Sequence, residues 1–343
     1  MRPWHIELVL LGTLGFPLVE FRIVKMEAQM DSNGSVSRSY LVTADEAKGA
    51  APREWLSENR PALKELLYEH GSVLFRGFDI ESPEEFRAHA KALCPSLYER
   101  YADLPAIEDI EAVYHATPYP ADATIEFHNE GSHLPQWPTM QFFYCTVPAA
   151  SGGETAVTDG RAVARELPAG IMDSLARHGL RYIRHFHAGL DVPWQEFFRC
   201  DDRDEVLRIC AKGGMRAQWR PSGALRVERD AAAVRRHHAI DAHVPFHQIL
   251  LFHPAMLDPV TRRTLASVLP EDEPPRDVRL GDGSEIPDDI VLDIRRIYHE
   301  LAAPVYWQEH DMLLIDNELV AHSRWPYSGP RELFVAMGEM RGV

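Results

Sequence analysis

The segment Phe127-His128-Asn129-Glu130 sets an imidazole and a carboxylate two residues apart. In an extended strand such residues point to the same side, so His128 and Glu130 could grip one metal ion together. A second His from a distant strand would complete a set of two imidazoles and one carboxylate. That facial set leaves coordination positions open, the arrangement suited to non-haem iron(II) oxygenases. The spacing alone is weak. With 17 His and 52 acidic residues in 343, roughly two or three H-x-[DE] matches arise by chance. Two exist, His128/Glu130 and His5/Glu7, and the second lies in an apolar leader.

What separates them is the sequence that follows His128. A loop Ser151-Gly152-Gly153-Glu154-Thr155 comes next, and near the C-terminus stand Asp316-Asn317-Glu318-Leu319-Val320-Ala321-His322-Ser323-Arg324 and Gly329-Pro330-Arg331. With these motifs in this order, the chain resembles the TauD/TfdA-like (taurine dioxygenase) family, in the branch near clavaminate synthase and the syringomycin-type hydroxylases. The resemblance runs from about Val73 through Met340. It implies an iron(II) enzyme with 2-oxoglutarate and dioxygen as co-substrates. His128, Glu130 and His322 match the catalytic iron ligands. Arg331 matches the arginine that binds the distal carboxylate of 2-oxoglutarate, and Thr155 its hydroxyl partner. A guanidinium fork pairs two-pronged with a carboxylate, and a Thr hydroxyl can satisfy a remaining lone pair. Read singly, each residue has a plainer alternative: a solvated or core His, a surface ion pair, a turn residue after two glycines. Arg324 falls in the family's H-x-R motif as a candidate substrate contact, and could equally be a structural ion pair.

The chain departs from the family where relatives show H-P-x-T-G before a W/F-F-N-Q strand. Here it reads His237-His238-Ala239-Ile240-Asp241, then Phe246-His247-Gln248. That region often borders the substrate pocket in relatives. The branch often acts on amino acids, free or carrier-tethered, in specialised metabolism. The resemblance therefore implies hydroxylation of an unactivated C–H bond in an amino-acid-like or carrier-bound small molecule. Desaturation, epoxidation and ring closure use the same cofactors. Halogenation is disfavoured, because halogenating relatives lack the carboxylate that Glu130 supplies. A non-catalytic jelly-roll binding protein would have lost a ligand or the arginine, and a zinc hydrolase would leave Thr155 and Arg331 unexplained. Arg220 and Arg226 are candidates to meet a substrate carboxylate, against an alternative of solvated charges on a strand pair.

The elements that must carry these residues are legible in outline. Composition is that of a globular protein, with 45% hydrophobic and 26% charged residues and a formal charge of −16. A surface so negative opposes phosphate backbones and argues against nucleic acid as a partner. Cys94, Cys145, Cys200 and Cys210 lack C-x-x-C spacing, which points away from zinc and disulfides and toward a reducing cytoplasm. The apolar run Leu8–Val19 is too short to span a membrane comfortably, and reads as a terminal strand or a leader from a mis-assigned start codon sooner than an export signal. Residues 27–39 read as a linker, so 1–39 form a leader and linker ahead of one domain over 40–343.

Within that domain Pro61–His70 reads as a helix ended by Gly71, and Ser82-Pro83-Glu84-Glu85 as a capped helix start. Helical inserts are expected over 160–178, broken at Pro168, and over 288–301. Strand-like runs occupy 72–76, 139–146, 180–187, 248–253, 312–316 and 332–337. Many short strands with interposed helices predict an α+β, mainly β fold whose core is a double-stranded β-helix (jelly roll) braced by helices.

Overall fold

The computed structural model describes residues 39–44, 51–99, 101, 104–107, 110–190 and 192–342. The apolar run 8–19, the His5/Glu7 pair and residues 27–38 of the expected linker lie outside the described residues.

Apolar alternation builds the central sheet. Along Met312–Asp316, Met312 and Leu314 join one hydrophobic cluster while Leu313 and Ile315 join another. Gln136–Val147 divides the same way, Phe142 and Tyr144 against Phe143 and Cys145, as does Glu332–Gly342, Phe334 and Ala336 against Leu333, Val335 and Met337. Successive side chains face opposite sides of a sheet, so a strand covered on both faces reads as an unbroken apolar run. These strands lie in a seven-stranded sheet ordered Tyr40–Thr43, Ser72–Arg76, Met312–Asp316, Gln136–Val147, Glu332–Gly342, Ile110–His115, Ala106–Ile107. One face is covered by helices Pro52–Glu58, Arg60–His70 and Pro83–Leu93 through Leu56, Leu63, Leu67, Phe86 and Leu93. Gly71 ends the second of these at φ 77°, in the left-handed region, and Ser82 Oγ caps the third by accepting from the Glu85 N–H at 3.2 Å.

The other face packs on a four-stranded sheet ordered Ala303–Val305, Thr155–Asp159, Val320–Arg324, Ile125–His128. Val157, Val320 and Val305 meet the large sheet. Ala156, Ala321 and Phe127 point the other way, into a cluster with helix Asp288–Glu300. A third sheet, ordered Arg216–Trp219, Leu225–Ala231, Leu180–Phe186, Arg276–Leu280, lies to the side, and two further pairs of short strands complete the set.

This arrangement corrects the expected double-stranded β-helix (jelly roll). The fold is a mixed α+β one of separate sheets, none closed into a barrel. Tyr40–Thr43 and Ala106–Ile107 remain as edges of the large sheet, and Ala303–Val305 and Ile125–His128 as edges of the smaller one. A pattern of short strands and turns specifies which faces are buried, but closure depends on which edges pair. A second difference falls at 248–253, where Ile249–Phe252 is a helical turn in place of a strand. The Gln248 side chain donates to the Asn129 carbonyl at 3.2 Å and its N–H to Tyr182 Oη at 2.9 Å. A short apolar run without alternation fits either state, and here tertiary contacts decide. The insert 160–178 divides at Pro168 into helices Gly160–Glu166 and Ala169–His178. No helix among the described residues is long and apolar enough to cross a membrane.

Candidate active site

Val320–Arg324 is the middle of the site. Its neighbours are Ile125–His128 on one side and Thr155–Asp159 on the other, in a register that sets His322 opposite His128 and Arg324 opposite Thr155. Val320 faces the large sheet, so His322, two residues on, faces it too, with its ring 5.2 Å from that of Phe143. The His128 and His322 rings lie 4.2 Å apart. Glu130 sits just beyond the end of its strand, its Oε2 3.8 Å from His128 Nε2. One ligand atom from each of His128, Glu130 and His322 falls within 4.8 Å of the others, and all three residues are buried.

The protonation states suit a cation. His128 Nδ1 lies 2.9 Å from the Glu126 carbonyl, a contact that needs a proton on Nδ1 and turns Nε2 toward Glu130. Burial, with the nearby His128, pushes the His322 pKa well below its ordinary value, so this ring is neutral. Burial opposes ionisation of Glu130, but His128 and the Tyr101 hydroxyl outweigh it and hold the carboxyl down at about 2. Tyr101 O–H donates to Glu130 Oε1, and the Gly131 N–H donates to the same oxygen at 3.2 Å.

Two asparagines join the segments that bear these groups. Asn129, pointing away from its neighbours' face, donates to the carbonyls of Asn317 and Val320 at 2.9 and 3.1 Å. Asn317 binds the Glu130 backbone in return. Both stand inside the motifs that single out their neighbours, and sequence reasoning assigned them no role. The available signal was position: an amide between two ligands, or at the turn before a third, is placed to tie backbones.

A second cluster, His237, His238 and Glu318, also brings its ligand atoms within 4.8 Å. Here the polar atoms already have partners. His237 Nδ1 accepts from the Ala239 and Ile240 N–H groups, each at 3.2 Å, so the proton is on Nε2, which donates to Asp316 at 2.9 Å. His238 and Trp137 donate to the two oxygens of Glu318 at 2.7 and 2.9 Å. The cluster is a hydrogen-bonded brace beneath the 316–318 turn that leads to His322.

Arg331 lies along the Gly153 backbone, its Nε donating to the Gly153 carbonyl at 3.0 Å. Gly153 has φ 77°, and a Cβ there would stand 3.0 Å from the Arg331 Cδ and Nε, so glycine makes room for this side chain. Burial, helped by the charge of Arg324, lowers the Arg331 pKa to about 10. Among the described residues it forms no ion pair with a carboxylate. Thr155, two residues from Gly153, is buried, and its Oγ1 accepts from Trp307 Nε1 at 3.2 Å. Arg324 is committed elsewhere: it donates to the carbonyls of Tyr119, Pro120 and Ala123. Arg220 pairs with Asp272 and Glu273, and Arg226 with Glu228. Both line a cavity of about 950 Å³ whose walls do not include His128, Glu130 or His322.

The residues fit an iron(II) ion and 2-oxoglutarate. Two imidazoles and an ionised carboxylate converge on one point, and Arg331, which forms no ion pair with a carboxylate among the described residues, lies along the Gly153 backbone two residues before Thr155.

Comparison with known proteins agrees. The model of the Taurine catabolism dioxygenase TauD, TfdA family matches residues 35–337. The dapdiamide synthesis protein DdaC of Enterobacter agglomerans is 34% identical over 300 residues, 87% of this chain and 90% of that protein. A clavaminate synthase-like protein of Arabidopsis thaliana is 29% identical over 286 residues, 80% of this chain and 83% of that one. The crystal structure of PvcB from Pseudomonas aeruginosa shares the fold, with a TM-score of 0.52 at 17% identity, covering 90% of this chain and 88% of PvcB. The chain belongs to the TauD/TfdA family and is an Fe(II)- and 2-oxoglutarate-dependent dioxygenase.

Proposed function

We propose that His128, Glu130 and His322 hold the iron, that Arg331 with Thr155 holds the distal carboxylate of 2-oxoglutarate, and that the enzyme hydroxylates an unactivated C–H bond of an amino-acid-like molecule, free or carrier-tethered, in specialised metabolism. The observation that carries the reading is Arg331. Drawing a cation out of water is costly unless it is paired, and this half-buried one has a backbone carbonyl and the ring of Tyr327 near it but no ion pair with a carboxylate among the described residues, Glu154 acting on it only through space. A dicarboxylate co-substrate supplies the missing charge.

Bound iron, with 2-oxoglutarate and dioxygen, supplies the oxidising equivalents. The chain's own work is positioning. His128 keeps its Nδ1 proton on the Glu126 carbonyl, so Nε2 is the ring atom turned toward Glu130 and available to a metal ion. Tyr101 and the Gly131 N–H fix one Glu130 oxygen and leave the other facing His128. The substrate class is supported by the relative whose name places it in dapdiamide synthesis. Four unpaired thiols suit a cytoplasmic setting.

The test has two parts. Iron-loaded protein given 2-oxoglutarate without oxygen should develop a weak visible absorption band at one iron per chain. No band at stoichiometric iron would sink the ligand assignment. A panel of amino acids and carrier-bound amino acids, assayed for succinate release and product mass, should reveal one that gains a single oxygen. A product two hydrogens lighter would replace hydroxylation with desaturation or ring closure.

A further inference from the structure

Strands Leu180–Phe186 and Leu225–Ala231 pair so that Val227 lies opposite Arg184. Arg184, Phe186, Val227 and Arg229 share one face of the side sheet and line a small cavity with Phe197 and Leu134. Leu134 belongs to the turn that leaves Glu130, its N–H donating to the Gly131 carbonyl at 2.8 Å. The cavity therefore abuts the segment that carries the site's carboxylate.

Its wall is unusual in charge. Arg184 and Arg229 are each only 7% exposed. The Arg184 guanidinium lies over the rings of Phe186 and Phe197, 4.5 and 4.7 Å from their centroids. Arg229 donates to the Leu134 carbonyl and, among the described residues, forms no ion pair with a carboxylate. Burial, then the charge of Arg235, lowers its pKa, and the opposing pull of Tyr182 and Asp230 does not offset them. Two cations against an aromatic wall, one lacking an acidic partner, suit an anion that arrives from outside. The cavity volume is about 30 Å³, against the roughly 10–15 Å³ of such space that one water needs. That admits a small planar group and not a whole substrate.

We propose that this cavity anchors the substrate by a carboxylate, with Arg229 making the charge-assisted pair and the rest of the molecule extending toward the site at Glu130. The assignment rests on the reading above that the substrate is amino-acid-like, and adds which end is held and by what. Arg331 takes the carboxylate of the co-substrate, and Arg229 takes that of the substrate.

The test uses enzyme loaded with iron and 2-oxoglutarate in the absence of oxygen, so that the Arg331 site is occupied and nothing turns over. Calorimetry measures binding of 4-methylpentanoate and of 4-methylpentanamide, which share a shape and differ in charge. The acid should bind saturably and at least tenfold more tightly than the amide. Arg229→Gln should remove most of that preference, and Arg229→Lys should restore part of it. Val227→Phe, which fills the cavity from the same wall without touching a charge, should abolish binding of the acid and serves as the deciding variant if Arg229→Gln does not fold. The affinity for 2-oxoglutarate, measured in parallel, should be unchanged in all of them, which separates failure here from failure of the cofactor reading. Equal binding of acid and amide, no saturable binding of the acid, or wild-type affinity in Arg229→Gln or Val227→Phe would overturn the proposal.

Discussion

The side-chain amide of Asn317 holds both backbone polar groups of Glu130: its Oδ1 accepts from the Glu130 N–H at 2.7 Å, and its Nδ2 donates to the Glu130 carbonyl at 2.9 Å. The same Nδ2 reaches the Pro138 carbonyl at 2.8 Å. A side chain thus completes pairing that the strand ending at His128 no longer supplies, and ties Glu130 to the turn before His322. Asn317→Ala leaves three buried backbone groups without their partner, each worth about 1–3 kcal/mol. The variant should melt at a clearly lower temperature. Its iron affinity, read by anaerobic titration, should fall about 10- to 100-fold, as when an outer partner of a metal ligand is lost. An unchanged iron affinity would show that Asn317 supports the fold alone.

His128→Ala and His322→Ala should each abolish turnover while keeping the circular dichroism of the parent. Catalytic metal sites contribute less to folding than small structural ones. Here the surrounding strands are secured by apolar clusters on both sides of the smaller sheet. Full activity in the His322 variant would remove that residue from the set.

Gly153→Ala should weaken 2-oxoglutarate binding without touching iron. The position has φ 77°, and the added methyl would press on Arg331. The backbone strain, about 1–2 kcal/mol, falls on stability, while the displacement of Arg331 falls on the co-substrate; an apparent affinity loss of about tenfold, or about 1.4 kcal/mol, is expected. The Michaelis constant for 2-oxoglutarate measures it, and a value equal to the parent's would show that the Arg331 side chain has room to move.

His247 makes the stability of the fold acid-sensitive. It is fully buried, its ring nitrogens have no hydrogen-bond partner among the described residues, and its pKa is pushed down to about 4. A histidine depressed in the folded state keeps full stability above its unfolded pKa of about 6.5, and loses stability as the pH falls from there toward 4. By pH 5 the loss attributable to this residue is about 2 kcal/mol. Denaturant melts of wild type and His247→Phe at pH 7.5 and 5 should differ by that amount in their pH dependence. Parallel curves would show that the ring is solvated or paired.

How much of this could be read beforehand depended on the range of the interaction. His128 and Glu130 share a side because strand periodicity is local, and Thr155, His322 and Arg331 stood out through motif order. That His322 pairs opposite His128 is a matter of register between distant strands, which no local pattern contains. The same limit misdirected the fold. Runs such as MLLID and ELFVAM correctly indicated buried strands, yet nothing in them says that the sheet edges stay open. Arg229 was invisible for another reason. In LRVERDA it reads as one more charge on a polar strand, and its bond to the Leu134 carbonyl is a contact between distant segments that no local pattern contains.

The central claim, that Arg331 is the anchor of 2-oxoglutarate, is tested most directly by titrating iron-loaded Arg331→Gln with 2-oxoglutarate in the absence of oxygen. Removing one member of a buried, charge-assisted pair typically costs about 2–5 kcal/mol, so the affinity should fall by roughly 30-fold or more. Iron affinity should hardly move, and Arg331→Lys should recover only part of the loss, since an ammonium cannot reproduce the two-pronged geometry. Wild-type 2-oxoglutarate affinity in Arg331→Gln would contradict the account.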